Sequence, residues 1–226
     1  QAKLFGYLKP LHATLVRYPI HDKGLIARYA RTFGYQQSKK IDEALREING
    51  LIEDYPENPF FYETKGQILF ENGDVEQSIA PYQKAVEYLP HSPLLRFSLA
   101  NSLISTEQDK YLDSAIENLE IALGDDPRNS FGWRQASVAY HRSNDEAMTH
   151  YATAQHFLLT GNPRGAMINA KKATDLLPKD SPKWMKAQDI MMIMQANMSD
   201  QAKEAQEKRN DQEREQRRKE RNRSIL

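Results

Sequence analysis

Four prolines of this chain each follow a stretch with helical periodicity, and their spacing constrains the fold more than any other feature. Pro56, Pro90, Pro127 and Pro178 are separated by 34, 37 and 51 residues, and the last spacing is one and a half times the first. Proline ends a helix because it lacks the backbone N–H that the helix needs. A period near 34 residues fits a pair of antiparallel helices, which buries its apolar side only against neighbouring pairs. The spacing predicts an all-α solenoid of helix pairs, and no segment has the alternating pattern of a strand.

The clearest repeat runs from 59 to 92 and resembles one unit of the tetratricopeptide repeat (TPR). Small residues stand where two helices must approach and large residues where the gap must be filled: Gly66, Ser78 and Ala85 are small, and Tyr62, Leu69 and Tyr82 are large. Gly73 and Asp74 are expected to turn the chain, and Pro90 to end the second helix. Pro81 lies within the second helix, so we expect it to kink that helix or to delay its start.

The remaining repeats match less fully and divide the chain into three parts. These are an N-terminal cap or linker over 1–25, a TPR-type solenoid over 26–198, and a highly charged tail, helical or disordered, over 199–226. The solenoid is predicted to hold four whole units, one half-unit and a closing helix. The half-unit, at about 130–142, is expected to lack the usual second helix. In the first unit, Arg28 and Arg31 stand where the repeat usually has large apolar residues.

The two ends lack the repeat pattern. The first 25 residues either cap the first unit through Leu4, Phe5, Leu8 and Val16 or form a severed connection to an upstream domain. In the tail, nine residues are basic and seven acidic, so a solvated helix or a disordered segment is expected. Before the tail, the closing helix carries a stripe of Ala187, Met191, Met194 and Met198 on one face.

Several classes of function are excluded by composition and by missing motifs. The chain has no cysteine, which excludes disulfides, thiolate-bound zinc and thiol catalysis. Its formal net charge is zero, which disfavours a dedicated nucleic-acid binder. No apolar stretch is long enough to span a membrane. There is no His-Glu-x-x-His, phosphate-binding loop or Gly-x-Ser-x-Gly motif. We therefore predict no catalytic, metal or cofactor site in this chain.

What remains is a surface for binding protein. The first helix of each TPR pair is expected to line a concave face, where aromatic, amide and charged side chains suit an extended polypeptide. The residues predicted to lie there are Tyr29, Phe33, Gln36, Phe60, Glu63, Gln67, Phe70, Phe97, Asn101, Ile104, Phe131, Arg134, Val138, His141 and Tyr151. The expected partners are other proteins or unfolded polypeptide, with no nucleic acid. The alternative for each aromatic residue is packing between repeats.

The order of several segments is more specific than the repeat itself. In sequence these are KLFGYLKP, RYP, ARYARTFGY, NPFFYETKGQILFENGDVEQSIAPYQKAV, SPLLRFSLANSLI, NSFGWRQASVAYHR and SPKWMKAQDIM. Together, over about residues 3–195, they resemble the C-terminal TPR half of BepA-like periplasmic zinc metallopeptidases. The zinc and the His-Glu-x-x-His motif of that family belong to a preceding peptidase domain, which this chain does not contain.

The resemblance carries functional implications of its own. It implies a periplasmic, non-catalytic client-binding half that packs on its own peptidase domain and takes part in the quality control of outer-membrane proteins together with their assembly machinery. The alternative is a stand-alone TPR scaffold of a multi-protein complex, with a cytoplasmic location.

Overall fold

The computed structural model describes residues 1–196 together with Lys203, Gln206, Lys208 and Arg209. Over this part of the chain the regular structure is helical and no strand occurs. The chain divides into two compact units, Gln1–Pro127 and Arg128–Leu226, which we describe separately as unit 1 and unit 2. Apart from the four residues named, the predicted tail over 199–226 lies outside the described residues.

Unit 1 is a series of helices in which neighbours along the chain pack together. They are α1 (Ala2–Leu8), α2 (Leu11–Arg17), α3 (Leu25–Gln37), α4 (Ile41–Asp54), α5 (Pro59–Asn72), α6 (Val75–Tyr88), α7 (Pro93–Ser105) and α8 (Leu112–Asp125), with a 3-10 turn at Asp109–Tyr111. Helix α3 packs on α4, α5 on α6 and α7 on α8, and each pair contacts the next. These three helix pairs correspond to the first three TPR repeats that the proline spacing predicts.

The α5–α6 pair shows how the repeat signature produces the fold. Oδ1 of Asn58 accepts a backbone N–H of the first turn of α5 at 3.0 Å, which fixes the start of that helix. The helix ends at Gly73, whose φ of 94° is the left-handed conformation that residues with a Cβ adopt only under strain. A Cβ at Gly66 would lie 2.9 Å from the ring of Tyr82 on α6. The small residue therefore stands where the two helices approach, as the sequence predicts.

Pro81 does not shorten α6. The helix runs from Val75 to Tyr88 and continues through Pro81, whose ring is buried. The expectation of a delayed start is wrong, because the helix begins six residues before the proline. A proline in this position removes one backbone hydrogen bond and crowds the preceding turn. Burial of its ring offsets part of that loss.

The first helix pair replaces part of its apolar contact with ion pairs. Arg31 on α3 is fully buried, and its guanidinium donates to both carboxylate oxygens of Glu47 on α4, at 2.8 and 2.9 Å. Nη1 of Arg31 also donates to the carbonyl oxygen of Pro19 at 2.7 Å. Nη1 of Arg28 donates to Asp54 at the other end of α4 at 3.0 Å. The two arginines that depart from the TPR pattern therefore join α3 to α4 by charged hydrogen bonds.

Helices α1 and α2 both pack on α3 and cap the first pair. A Cβ at Gly6 would lie only 2.0 Å from the carbonyl oxygen of Ala30, so α1 approaches α3 through a glycine. Thr14 of α2 is fully buried and contacts Gly34. Three of the four residues expected to make the cap are instead exposed: Leu4, Leu8 and Val16, by 61, 69 and 83%. That part of the expectation is wrong, because the close approach uses small residues and turns the large apolar ones outward.

Polar contacts join the second pair to the third. Ser78 on α6 and Ser102 on α7 share a buried hydrogen bond. The hydroxyl of Tyr111, which follows the longer turn before α8, donates to Glu76 of α6 at 3.1 Å. The extra residues of this turn at 105–110 therefore bring a side chain of the third pair onto the second.

Unit 2 continues the same pattern over its described residues. Its described helices are α9 (Ser130–Arg142), α10 (Glu146–Leu159), α11 (Pro163–Leu176) and α12 (182–196). Helix α10 packs against both α9 and α11. The predicted half-unit thus has a helix partner, since Trp133 of α9 meets Tyr151 of α10 edge-on with ring centroids 5.6 Å apart. The helix at 130–142 is therefore followed by a helix that packs on it, although that helix also packs on α11.

The core of unit 2 is built largely from small side chains. Ala154, Ala166 and Ala170 pack with Ile190 and Met194 of α12. Ala187 is also fully buried, so α12 presents the predicted face to α10 and α11, with Ile190 as an additional member. The last residue of the predicted stripe, Met198, lies outside the described residues.

Candidate polypeptide-binding site

Three helices of unit 1 form the face to which the sequence assigns binding. These are α3, α5 and α7, the first helices of their pairs, and we call this surface the first-helix face. Helix α5 contacts α7 directly. It meets α3 through Tyr29 and Phe61, whose ring centroids are 5.7 Å apart. Helix α1 lies over the α3 end, with Nζ of Lys3 4.7 Å from the ring centroid of Phe33.

The predicted binding residues separate by exposure. The buried ones are Phe33, Gln36, Phe97, Ile104 and Tyr151; the half-buried ones are Tyr29, Glu63, Gln67, Phe70 and Asn101; the exposed ones are Phe60, Phe131, Arg134, Val138 and His141. The buried side chains have little surface to offer a partner, because neighbouring helices cover them. This corrects the sequence-based list. Gln36 remains of interest because its amide is hydrogen-bonded to the exposed Glu71. Contact of the other residues with a partner stays a prediction.

Four polar side chains of α3 and α5 come together on the first-helix face. We call Gln36, Glu63, Gln67 and Glu71 the acceptor cluster. Nε2 of Gln36 donates to Oε2 of Glu71 at 2.7 Å, and Nε2 of Gln67 donates to Oε1 of the same carboxylate at 2.8 Å. The bond from Gln36 crosses from the first pair to the second. It therefore fixes Glu71 between two helices of the face.

The charge of this carboxylate acts on Glu63 and on Tyr82. Burial raises the pKa of Glu63 above its ordinary value, Lys3 opposes the rise and Glu71 adds to it. Burial also raises the pKa of Tyr82, and the charges of Glu63 and Glu71 raise it further. Two carboxylates and one ammonium group therefore influence one another here. The resulting local charge is negative.

Sequence reasoning missed three of these participants. Glu71 follows Glu63 and Gln67 at successive intervals of four residues, which places all three on one face of α5. That spacing was a sufficient signal for Glu71. Tyr82 was assigned to packing alone, and Lys3 lies in a segment without the repeat pattern, so nothing in the sequence places Lys3 near Glu63.

Unit 2 presents part of the predicted face on a single helix. Phe131, Arg134, Val138 and His141 are all exposed and follow one another along α9 at intervals of three and four residues. They share one side of the helix, while Ala136 and Tyr140 are buried on the other. This side of α9 combines apolar side chains with the guanidinium of Arg134 and the imidazole of His141. It contains no carboxylate among the four residues named.

Two of the three histidines of unit 2, His150 and His156, have structural partners. The ring of His150 is 2.9 Å from Oδ1 of Asn169, and the ring of His156 is 2.9 Å from the carbonyl oxygen of Ser130. Asp145 caps α10 by accepting the N–H of Met148 at 2.9 Å. In the part of the chain that the structure describes, no group of three or more His, Asp or Glu residues is arranged to hold a metal ion. No helix in that part is long and apolar enough to cross a membrane.

Comparison with solved structures supports the fold. A crystal structure of MamA has a TM-score of 0.54 and 12% identity, covering 76% of this chain and 96% of the other. A second MamA structure has a TM-score of 0.55 and 12% identity, with 75 and 90% coverage. MamA from MSR-1 has a TM-score of 0.54 and 17% identity, with 76 and 91% coverage. At this identity the likeness shows the fold alone.

The consecutive helix pairs and this likeness confirm the predicted all-α, TPR-type solenoid architecture. No protein-family model and no curated protein sequence matches the chain.

Proposed function

We propose that this chain is a non-catalytic protein-interaction module, which binds a polypeptide segment of a partner on the first-helix face of unit 1. The observation that carries the proposal is the mixture of groups left accessible there. Phe60 and Phe70 expose ring surface, while Glu63 and Gln67 place polar groups between them on the same helix. An extended peptide needs both, because its side chains seek apolar contact and its backbone amides seek hydrogen bonds.

The proposal is tested by site-specific photocrosslinking in the full chain. Benzoylphenylalanine replaces Phe70 on the first-helix face or, as a matched control, the exposed Gln83 on α6. The probe is a pool of short synthetic peptides of varied sequence. We expect adducts from position 70 and few from position 83. Equal yields from the two positions, or none from either, would overturn the proposal.

We further propose a periplasmic setting, in which this chain is the client-binding half of a metallopeptidase that acts on misassembled outer-membrane proteins. The support is the segment order given above and an apolar stripe on α1. Leu4, Tyr7 and Leu8 are exposed on one side of that helix, at spacings of three and four residues. A peptidase domain packed there would cover a surface that water solvates poorly. Zinc would belong to that domain.

This setting is tested by fractionating the source cells and blotting with an antibody against the chain. A periplasmic or membrane band much larger than 26.1 kDa is the expected result. A cytosolic band at about the mass of the chain would contradict it. That outcome would favour the alternative of a stand-alone scaffold.

A further inference from the structure

The buried amide of Gln36 leaves one strong acceptor unused. The residue is 6% exposed, and its Oε1 has no hydrogen-bond partner among the described residues. Buried polar atoms are nearly always hydrogen-bonded, so an unpaired carbonyl oxygen marks a position where a donor is missing.

The orientation of this amide follows from its neighbour. The Glu71 carboxylate can only accept, so the group 2.7 Å from it must be the NH₂ of Gln36. Its carbonyl oxygen is therefore Oε1, the unpaired atom. Turning the amide over would bring two acceptors together and lose this hydrogen bond. The hydrogen bond to Glu71 therefore determines which atom of the amide is the unpaired oxygen.

The charges around Gln36 indicate what kind of donor fits. Glu63 and Glu71 are both carboxylates that raise the pKa of Tyr82, and the cation acting on Glu63 is Lys3. Glu71 is bonded to two neutral amides, from Gln36 and Gln67. Amide donors orient a carboxylate without neutralising it. The cluster contains two carboxylates, and Lys3 is the one cation named as acting on it, so one negative charge is left unbalanced.

We propose that the acceptor cluster binds a cationic side chain, arginine or lysine, of the polypeptide held on the first-helix face. The inference rests on the proposed function and names the chemistry of the partner at this point of the face. A guanidinium or ammonium group supplies N–H donors to the exposed carboxylate of Glu71 and, after a small displacement of the side chains that cover it, to Oε1 of Gln36, and it balances the excess charge.

The test compares arginine with citrulline, which has nearly the same shape and no charge. The peptide with the highest affinity in the crosslinking pool is resynthesised with arginine, lysine, citrulline or norleucine at its cationic position. Affinities for the full chain are then measured by fluorescence anisotropy. We expect arginine and lysine to bind about tenfold or more tightly than their uncharged counterparts, as a charge-assisted hydrogen bond implies.

Two variants test whether the acceptor cluster causes the preference for a cationic side chain. In Glu71→Gln, an exposed position that should not affect folding, the preference for arginine should largely disappear. In the matched control Glu117→Gln, an exposed carboxylate of α8, it should persist. A preference that survives in Glu71→Gln would place the cation elsewhere and overturn the inference.

A second measurement observes the buried side-chain amide of Gln36 directly. N-acetyl-arginine amide is titrated into the labelled full chain while the side-chain NH₂ signals of Gln36 are followed by NMR. They should shift with arginine and stay in place with N-acetyl-citrulline amide. If peptides crosslink at position 70 but neither assay separates arginine from citrulline, this inference fails and the proposed function stands. If no peptide crosslinks, the proposed function fails, and a shift of Gln36 would still report a cation site.

Discussion

Arg31 and Glu47 form a bidentate ion pair inside the first helix pair, with nitrogen–oxygen distances of 2.8 and 2.9 Å. Both side chains are almost removed from water, at 0 and 13% exposure. An ion pair in such surroundings contributes little net stability when intact. Removing one member leaves the other as a buried charge without a partner, and this is strongly destabilising.

Replacing Arg31 therefore provides the first prediction. Arg31→Met should lower the free energy of unfolding by about 3–5 kcal/mol, because Glu47 is left without its counter-charge. Arg28→Met is the matched control, since its partner Asp54 is 52% exposed and water can take over. The control should lose no more than about 1 kcal/mol. Urea denaturation measures both, and equal losses would contradict this account of the pair.

Two glycines in helices should respond to alanine in opposite directions. Gly66→Ala should destabilise the protein by about 1–3 kcal/mol, because the new Cβ would press on the ring of Tyr82 at 2.9 Å. Gly124→Ala in α8 meets nothing within 4 Å and should stabilise by about 0.4–1 kcal/mol. Thermal or urea unfolding compares them. A neutral Gly66→Ala would mean that α5 and α6 can move apart without loss.

Glu63 should make stability depend on pH. Its pKa is raised in the folded protein, mainly by burial, so the folded state binds this proton more tightly than the unfolded state. Stability from this group is therefore present below its ordinary pKa of 4.5 and is lost as pH rises through the folded pKa. Glu63→Gln should be more stable than the parent at neutral pH and should lose that advantage in acid.

The measurement for Glu63 is urea unfolding of parent and variant across this pH range. Glu117→Gln, at an exposed position of the same unit, serves as the control for the substitution of a carboxylate by an amide. An advantage of Glu63→Gln that is constant with pH would rule out ionisation as its cause.

The turn between α3 and α4 contains a residue in an unfavourable backbone conformation. Lys39 has a φ of 58°, which crowds its Cβ against the backbone. Lys39→Gly should raise the free energy of unfolding by about 0.5–1 kcal/mol. Gln37→Gly, at the end of α3, should lower it by a similar amount. A loss of stability in Lys39→Gly would show that the lysine side chain makes a compensating contact.

The sequence predicts a side-chain contact when both residues belong to the pattern of one repeat, and it does not when they belong to different repeats. Gly66 and Tyr82 belong to one helix pair, so a single repeat pattern was enough to place them together. Gln36 and Glu71 belong to successive pairs, and nothing in either repeat predicts their bond. Arg31 was visible as a departure from the pattern, but its partner Glu47 was not.

The N-terminal helices were harder to predict for a physical reason. A short helix is normally assigned a packing side from its large apolar residues. Here α1 docks through Gly6, and the large residues Leu4 and Leu8 lie on the outside. The usual inference therefore pointed to the wrong side of the helix.

The docking of α1 on α3 gives the first-helix face a direction. Backbone-to-backbone contact at Gly6 and Ala30 leaves no space for a third chain between these helices. A segment that lies across α7 and α5 and continues toward α3 meets α1 as a barrier just beyond the acceptor cluster. It must end there or turn away from the protein. In the proposed function this barrier would close one end of the first-helix face, so the distance of a basic residue from the end or bend of a bound chain would set the register in which that chain is held.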